Sequence, residues 1–137
     1  MPIWGTCAGF HELVSYVANA GWAVHDVYDM DSASLTLDFA FQDPTDIPIY
    51  SDLGPKANLF TTYNMTYNSH HWSLNPSKFQ TDQGLGAFFE PTALSYMPAP
   101  DNRAFVASVQ TKGANAKYPF YGVQYHPEKA ARIFSEE

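Results

Sequence analysis

Apolar residues recur along this chain with two different periods, and the first switch between them falls at residue 7. Met1-Pro2-Ile3-Trp4 is a short apolar run of the kind that ends a buried strand. From Ala8 onward Phe10, Leu13, Val14 and Val17 fall at i, i+3, i+4 and i+7, the spacing of one helix face. A strand-to-helix turn is therefore expected at Gly5-Thr6-Cys7-Ala8-Gly9, with Asn19-Ala20-Gly21 stopping the helix. Trp22 to Tyr28 reads as a short strand and Asp29-Met30-Asp31-Ser32 as a turn. Ser34 to Phe39 alternates apolar and polar, as a half-buried strand does. Gln42 to Leu59 carries Pro44, Pro48 and Pro55 and reads as loop, with a short helix around Ile49 to Leu53. Tyr63 to Asn68 is a further strand, expected to deliver His70-His71-Trp72-Ser73 into a loop. Pro76 to Phe89 suits one or two short helices, broken near Gly84 and Gly86. Thr92 to Met97, Ala104 to Gln110 and Phe120 to Tyr125 close the chain as strands, with turns at Pro98 to Asn102 and Lys112 to Asn115. Strands with helices between only some of them imply an α/β sheet with an antiparallel part late in the chain.

Composition narrows the partners. With 137 residues, 45% hydrophobic and 15% charged, the chain can bury a sizeable core and does not have the make-up of a disordered segment. The net charge is −7, and the seven Lys and Arg are scattered with no basic stripe. Nucleic acid and anionic membrane surfaces are thus not expected partners. The longest apolar runs fall far short of a membrane span, and no signal-peptide pattern opens the sequence. A single cysteine, Cys7, excludes an internal disulfide framework and a multi-cysteine zinc site. No ligand cluster suggests a metal, and no cofactor is expected.

Two places carry chemistry. At the first, Gly5-x-Cys7-x-Gly9 has the form of a nucleophile elbow, in which a strained turn presents the nucleophile and glycines relieve crowding on both sides. A helix starting just after Cys7 would aim its dipole and free N–H groups at the sulfur and lower the thiol pKa. A small cysteine packed in a tight turn has the same pattern. At the second, Tyr121 to Tyr125 is an apolar strand that ends in His126-Pro127-Glu128. His126 has the chemistry of a general base, and Glu128 reaches the same side if the backbone stays extended. There it would accept the other imidazole N–H and fix the tautomer. Taken alone, His-x-Glu is equally a surface pair.

The Gly5-Thr6-Cys7-Ala8-Gly9 turn and the Gln124-Tyr125-His126-Pro127-Glu128 strand end together resemble the class I glutamine amidotransferase-like superfamily. Within it, Pro2 to Phe10, Asn68-Ser69-His70-His71-Trp72-Ser73-Leu74 and Tyr118 to Lys129 resemble the gamma-glutamyl hydrolases, in that family's order and over nearly the whole chain.

The resemblance implies a three-layer, flavodoxin-like α/β domain, of which residues 1–137 would be the central portion, lacking N-terminal strands and a C-terminal segment. It implies cysteine-dependent hydrolysis of γ-glutamyl bonds in folate poly-γ-glutamates or related γ-glutamyl peptides, with Cys7 as nucleophile, His126 as base and Glu128 orienting it. His70 matches a further active-site histidine, and the Ala8 N–H an oxyanion donor. His11 occupies the place where amidotransferases carry a substrate-holding Gln and gamma-glutamyl hydrolases usually Glu; it would hydrogen-bond substrate or be an exposed helix histidine. Asn64-Met65-Thr66 is a glycosylation sequon, in keeping with the lysosomal, vacuolar or secreted location typical of that family. A homodimer is left open. The other readings are a glutaminase subunit of an amidotransferase and a non-catalytic remnant. The aromatic content of 16% suits either a pteridine cleft or ordinary core packing.

Overall fold

The computed structural model describes residues 1–129. It is a mixed α/β structure whose main sheet has four strands in the order β1-β6-β5-β4: β1 (Ile3–Thr6), β6 (Phe120–Val123), β5 (Ala104–Thr111) and β4 (Phe89–Tyr96). β1 runs parallel to β6, and the other two pairings are antiparallel, as the late strand signals implied. β5 is central and is buried without a break from Phe105 to Val109. One face of the sheet meets α1 (Ala8–Val17), with Phe10 and Val14 packed against Val106 and Val109. The other face packs Ala107 and Val123 against Leu37, Ile47 and Tyr50, the last from α2 (Pro48–Ser51). Some of the large aromatics are core: Phe10, Tyr28, Phe89 and Phe105 are fully buried, each stabilising by roughly 1.5–3 kcal/mol.

A second, two-stranded antiparallel ribbon joins β2 (Asp26–Leu35) to β3 (Thr66–Ser73). Several expectations change here. Trp22 is not in a strand, because Gly21 takes a positive φ of 56° and starts a short 3-10 turn, Gly21–Val24. Asp29 to Ser32 does not turn the chain back; β2 absorbs these residues as bulges between Val27 and Ala33, with Ser32 at φ 54°. The strand then ends at Leu35, and Asp38 makes only a single bridge to Leu94. His70 to Ser73 accordingly belong to β3 and not to a loop. After α3 (Leu59–Thr62) and β3, the predicted break near Gly84 and Gly86 lies instead at Asp82, between α4 (Lys78–Thr81) and α5 (Gln83–Phe88). The Asp82 carboxylate accepts from Leu85 N–H at 3.0 Å, capping α5, and from Asn19 and Ala20 N–H at 2.9 Å each. It ties the end of α1, at Val17, to the start of α5.

β1 is the edge of the sheet among the described residues, and Ile3 and Trp4 are 38% and 52% exposed, contrary to the buried strand expected. They line an open apolar groove of about 700 Å³ with Leu13, Tyr16, Phe88 and Tyr118. The α1 helix lies close on β1 because Gly5 has no side chain: a Cβ there would stand 2.5 Å from the Gly9 carbonyl oxygen. Gly9 itself would meet nothing, so only one of the two flanking glycines relieves crowding. Gly5→Ala should therefore destabilise by about 1–3 kcal/mol, the usual range for overpacking, and Gly9→Ala by much less. Paired urea titrations check this; equal midpoints for the two variants would refute the close-approach argument.

Candidate active site

Register brings the two chemical stretches together. Thr6 pairs with Val123 in the parallel β1–β6 ladder, and the Cys7 N–H donates to the Val123 carbonyl at 2.9 Å. Cys7 and His126 therefore leave the same end of adjacent strands. Cys7 sits at φ 49°, ψ −102°, outside the ordinary regions for an L-residue, immediately before α1. That is the strained turn the glycine spacing predicted.

His126 follows β6 and is fixed on two sides. Its N–H donates to the Tyr67 carbonyl at 2.8 Å, and its Nδ1 lies 2.7 Å from Glu128 Oε1. Glu128 reaches it by a different route from the one expected: the backbone enters a helical turn at residues 127–129, with Pro127 at its start. The imidazole is 17% exposed and the carboxylate 60%. The hydrogen bond to His126 holds the Glu128 carboxyl below its usual range. With Nδ1 engaged, Nε2 is the nitrogen left to move a proton.

The thiol departs from expectation. Burial pushes the Cys7 pKa up. The Ala8 N–H and the Lys129 charge act in the opposite direction, and the Glu128 charge adds to the rise, so desolvation outweighs the helix start. No hydrogen bond joins Cys7 to His126 among the described residues.

His70 and His11 lie deeper. His70 is buried on β3 against Phe105, with ring centroids 5.3 Å apart and neither nitrogen partnered. Burial, with a smaller contribution from the His126 charge, depresses its pKa to about 4. Its neighbour His71 is exposed and pairs with Asp29 at 3.0 Å. His11 is not the exposed helix histidine considered as one option: it is 6% exposed, beside His25 at 4.6 Å between ring centroids. Gln124 Nε2 lies 3.2 Å from its Nε2, which makes Nε2 the acceptor and places the proton on Nδ1. Burial, then the charges of His25 and His70, take its pKa down to about 3. Gln124 was not singled out from sequence, although a fully buried glutamine between apolar Val123 and Tyr125 is a legible signal; its Oε1 accepts from Ser73 at 3.3 Å. Asn64 is exposed ahead of β3, whereas Thr66 of the same sequon is buried with its hydroxyl on the Leu35 carbonyl.

Among the described residues no group of three or more His, Cys, Asp or Glu could hold a metal ion. No helix there is long and apolar enough to cross a membrane.

No family model matches the chain. Individual proteins do. It is 32% identical over 130 residues to the gamma-glutamyl hydrolase of Rattus norvegicus, covering 94% of this chain and 38% of that protein. The Bos taurus gamma-glutamyl hydrolase is 31% identical over 138 residues with the same two coverages. Gamma-glutamyl hydrolase 1 of Arabidopsis thaliana is 27% identical over 131 residues, 95% of this chain and 36% of that one. The chain thus spans a little over a third of the length of the relatives it matches. Over nearly its whole length the chain is similar in sequence to gamma-glutamyl hydrolases.

Proposed function

We propose that Cys7, His126 and Glu128 form the cysteine-dependent centre of a γ-glutamyl hydrolase acting on folate poly-γ-glutamates or related γ-glutamyl peptides, carried on a three-layer, class I glutamine amidotransferase-like domain. The observation that carries this reading is the His126–Glu128 pair at 2.7 Å, hung from the strand that hydrogen-bonds the nucleophile turn.

In this mechanism Glu128 holds the Nδ1 proton and keeps the Nε2 lone pair of His126 free. Because burial keeps Cys7 a thiol, its proton passes to Nε2 as sulfur attacks the γ-carbonyl, and no standing thiolate is needed. The Ala8 N–H, at the positive end of α1, receives the developing oxyanion. His126 then gives its proton to the departing amine, leaving a γ-glutamyl thioester. Water, deprotonated by His126, cleaves that thioester and restores the thiol. His70 and His11 stay neutral through the cycle.

The test is to mix the chain with a γ-glutamyl peptide, quench in acid and measure intact mass. A glutamyl adduct on the single cysteine, with release of the amine, is the expected result. Absence of both adduct and amine would overturn the reading. Release of ammonia from glutamine without cleavage of γ-glutamylglutamate would replace it with the glutaminase alternative.

A further inference from the structure

Tyr67 and Lys129 stand beside the candidate site and have no role in the steps above. Tyr67 is fixed from several sides. Its hydroxyl lies 2.9 Å from Ser32 Oγ, which the positive φ of the β2 bulge brings into reach. Its carbonyl holds the His126 N–H at 2.8 Å, and its ring stands edge-on to the imidazole, centroids 6.3 Å apart. On that same ring rests the Lys129 ammonium, 5.2 Å from the centroid, while the Lys129 N–H donates to the His126 carbonyl at 3.2 Å. An otherwise floppy lysine is thereby docked on an aromatic face next to the general base.

Its surroundings make that charge conspicuous. The chain carries 14 acidic against seven basic residues, and Lys78 and Arg103 are already paired with Asp26 and Asp101. No carboxylate pairs with Lys129 among the described residues. Its field reaches both Cys7 and Glu128. An anion approaching Cys7 therefore meets the Lys129 charge, set against that of Glu128, in a protein whose net charge of −7 otherwise repels it.

We propose that Lys129, docked on Tyr67, is the specificity residue that receives a substrate carboxylate beside Cys7. This rests on the γ-glutamyl reading, since such a substrate carries an α-carboxylate on the acyl side and, where a further glutamate follows, another on the leaving side. Tyr67 is the positioning residue, holding base and ammonium on one rigid ring.

Alkylation tests the anion site without requiring turnover, because Cys7 is the only cysteine. The ratio of rates with anionic iodoacetate and neutral iodoacetamide should fall about 5-fold in Lys129→Met, the effect of one unit charge at about 4 Å in water. Lys129→Arg should keep the ratio, and Lys78→Met should leave it unchanged. A ratio in Lys129→Met equal to wild type overturns the proposal, whether or not the chain cleaves γ-glutamyl bonds. With substrates, Lys129→Met should raise KM with little change in kcat. Amidating the carboxylate on one side should abolish that difference and so assign the side. A KM difference that survives amidation of both carboxylates overturns the proposal as well.

Discussion

Replacing His126 with alanine is expected to lower kcat/KM for γ-glutamyl cleavage by about 10²–10⁴-fold near pH 7, the usual contribution of a positioned acid–base group. The loss should be at the upper end because the thiol is pushed up by burial: without a base the nucleophile stays protonated. The variant should regain rate as the medium becomes alkaline enough to ionise Cys7 unaided, and wild type should not share that late rise. Glu128→Gln should cost less, on the order of 10-fold. A buried triad carboxylate can contribute about 10⁴, but Glu128 is 60% exposed and solvent weakens its hold on the imidazole. Steady-state rates from pH 6 to 10 for the three proteins check both statements. Equal losses for the two variants, or no alkaline recovery in His126→Ala, would contradict the proposed division of labour.

Local signals were legible where the chain obeys one period. The α1 stripe, the switch at Cys7 and the three closing strands followed from spacing alone. The expected strand end at His126 came early: β6 closes at Val123, three residues before His126, so Pro127 is not what stops the ladder. What was not legible depended on partners distant in sequence. Asp29 to Ser32 has the composition of a turn, yet pairing with β3 draws it into a bulged strand, and only the partner strand could reveal that. The expectation of a loop at His70 fails for the same reason. Ile3 and Trp4 are apolar, which predicts burial, but hydrophobicity does not say which edge of the sheet a strand occupies. The thiol pKa failed on a balance of magnitudes: the helix start was read correctly, and desolvation exceeded it. Tyr67 gave no signal at all, since its role lies in a carbonyl, a ring face and a bulge 35 residues away.

Acidification should unfold the chain well before its carboxylates are protonated, because His11 and His70 must take up protons that the folded interior refuses. Unfolded, each titrates near 6.5; folded, burial holds His11 at about 3 and His70 at about 4. Between those limits the unfolded chain binds more protons than the folded one, so stability is complete above pH 6.5 and falls as pH drops. By pH 4.5 each histidine removes about 2–3 kcal/mol, and the pair about 5 kcal/mol, as much as the whole stability of a marginal domain at about 5–15 kcal/mol. His25 is depressed in the same direction by burial and adds to the loss. Asp82 and Glu128, whose carboxyls are held low by their hydrogen bonds, lose their contribution only at still lower pH. Denaturant titrations at pH 7.5 and 4.5 measure the effect directly. Midpoints that coincide would show the buried imidazoles to be solvated in the folded chain. A His11→Gln, His70→Gln double variant should be less stable at pH 7.5 yet lose far less than wild type between the two pH values, which separates proton uptake from packing.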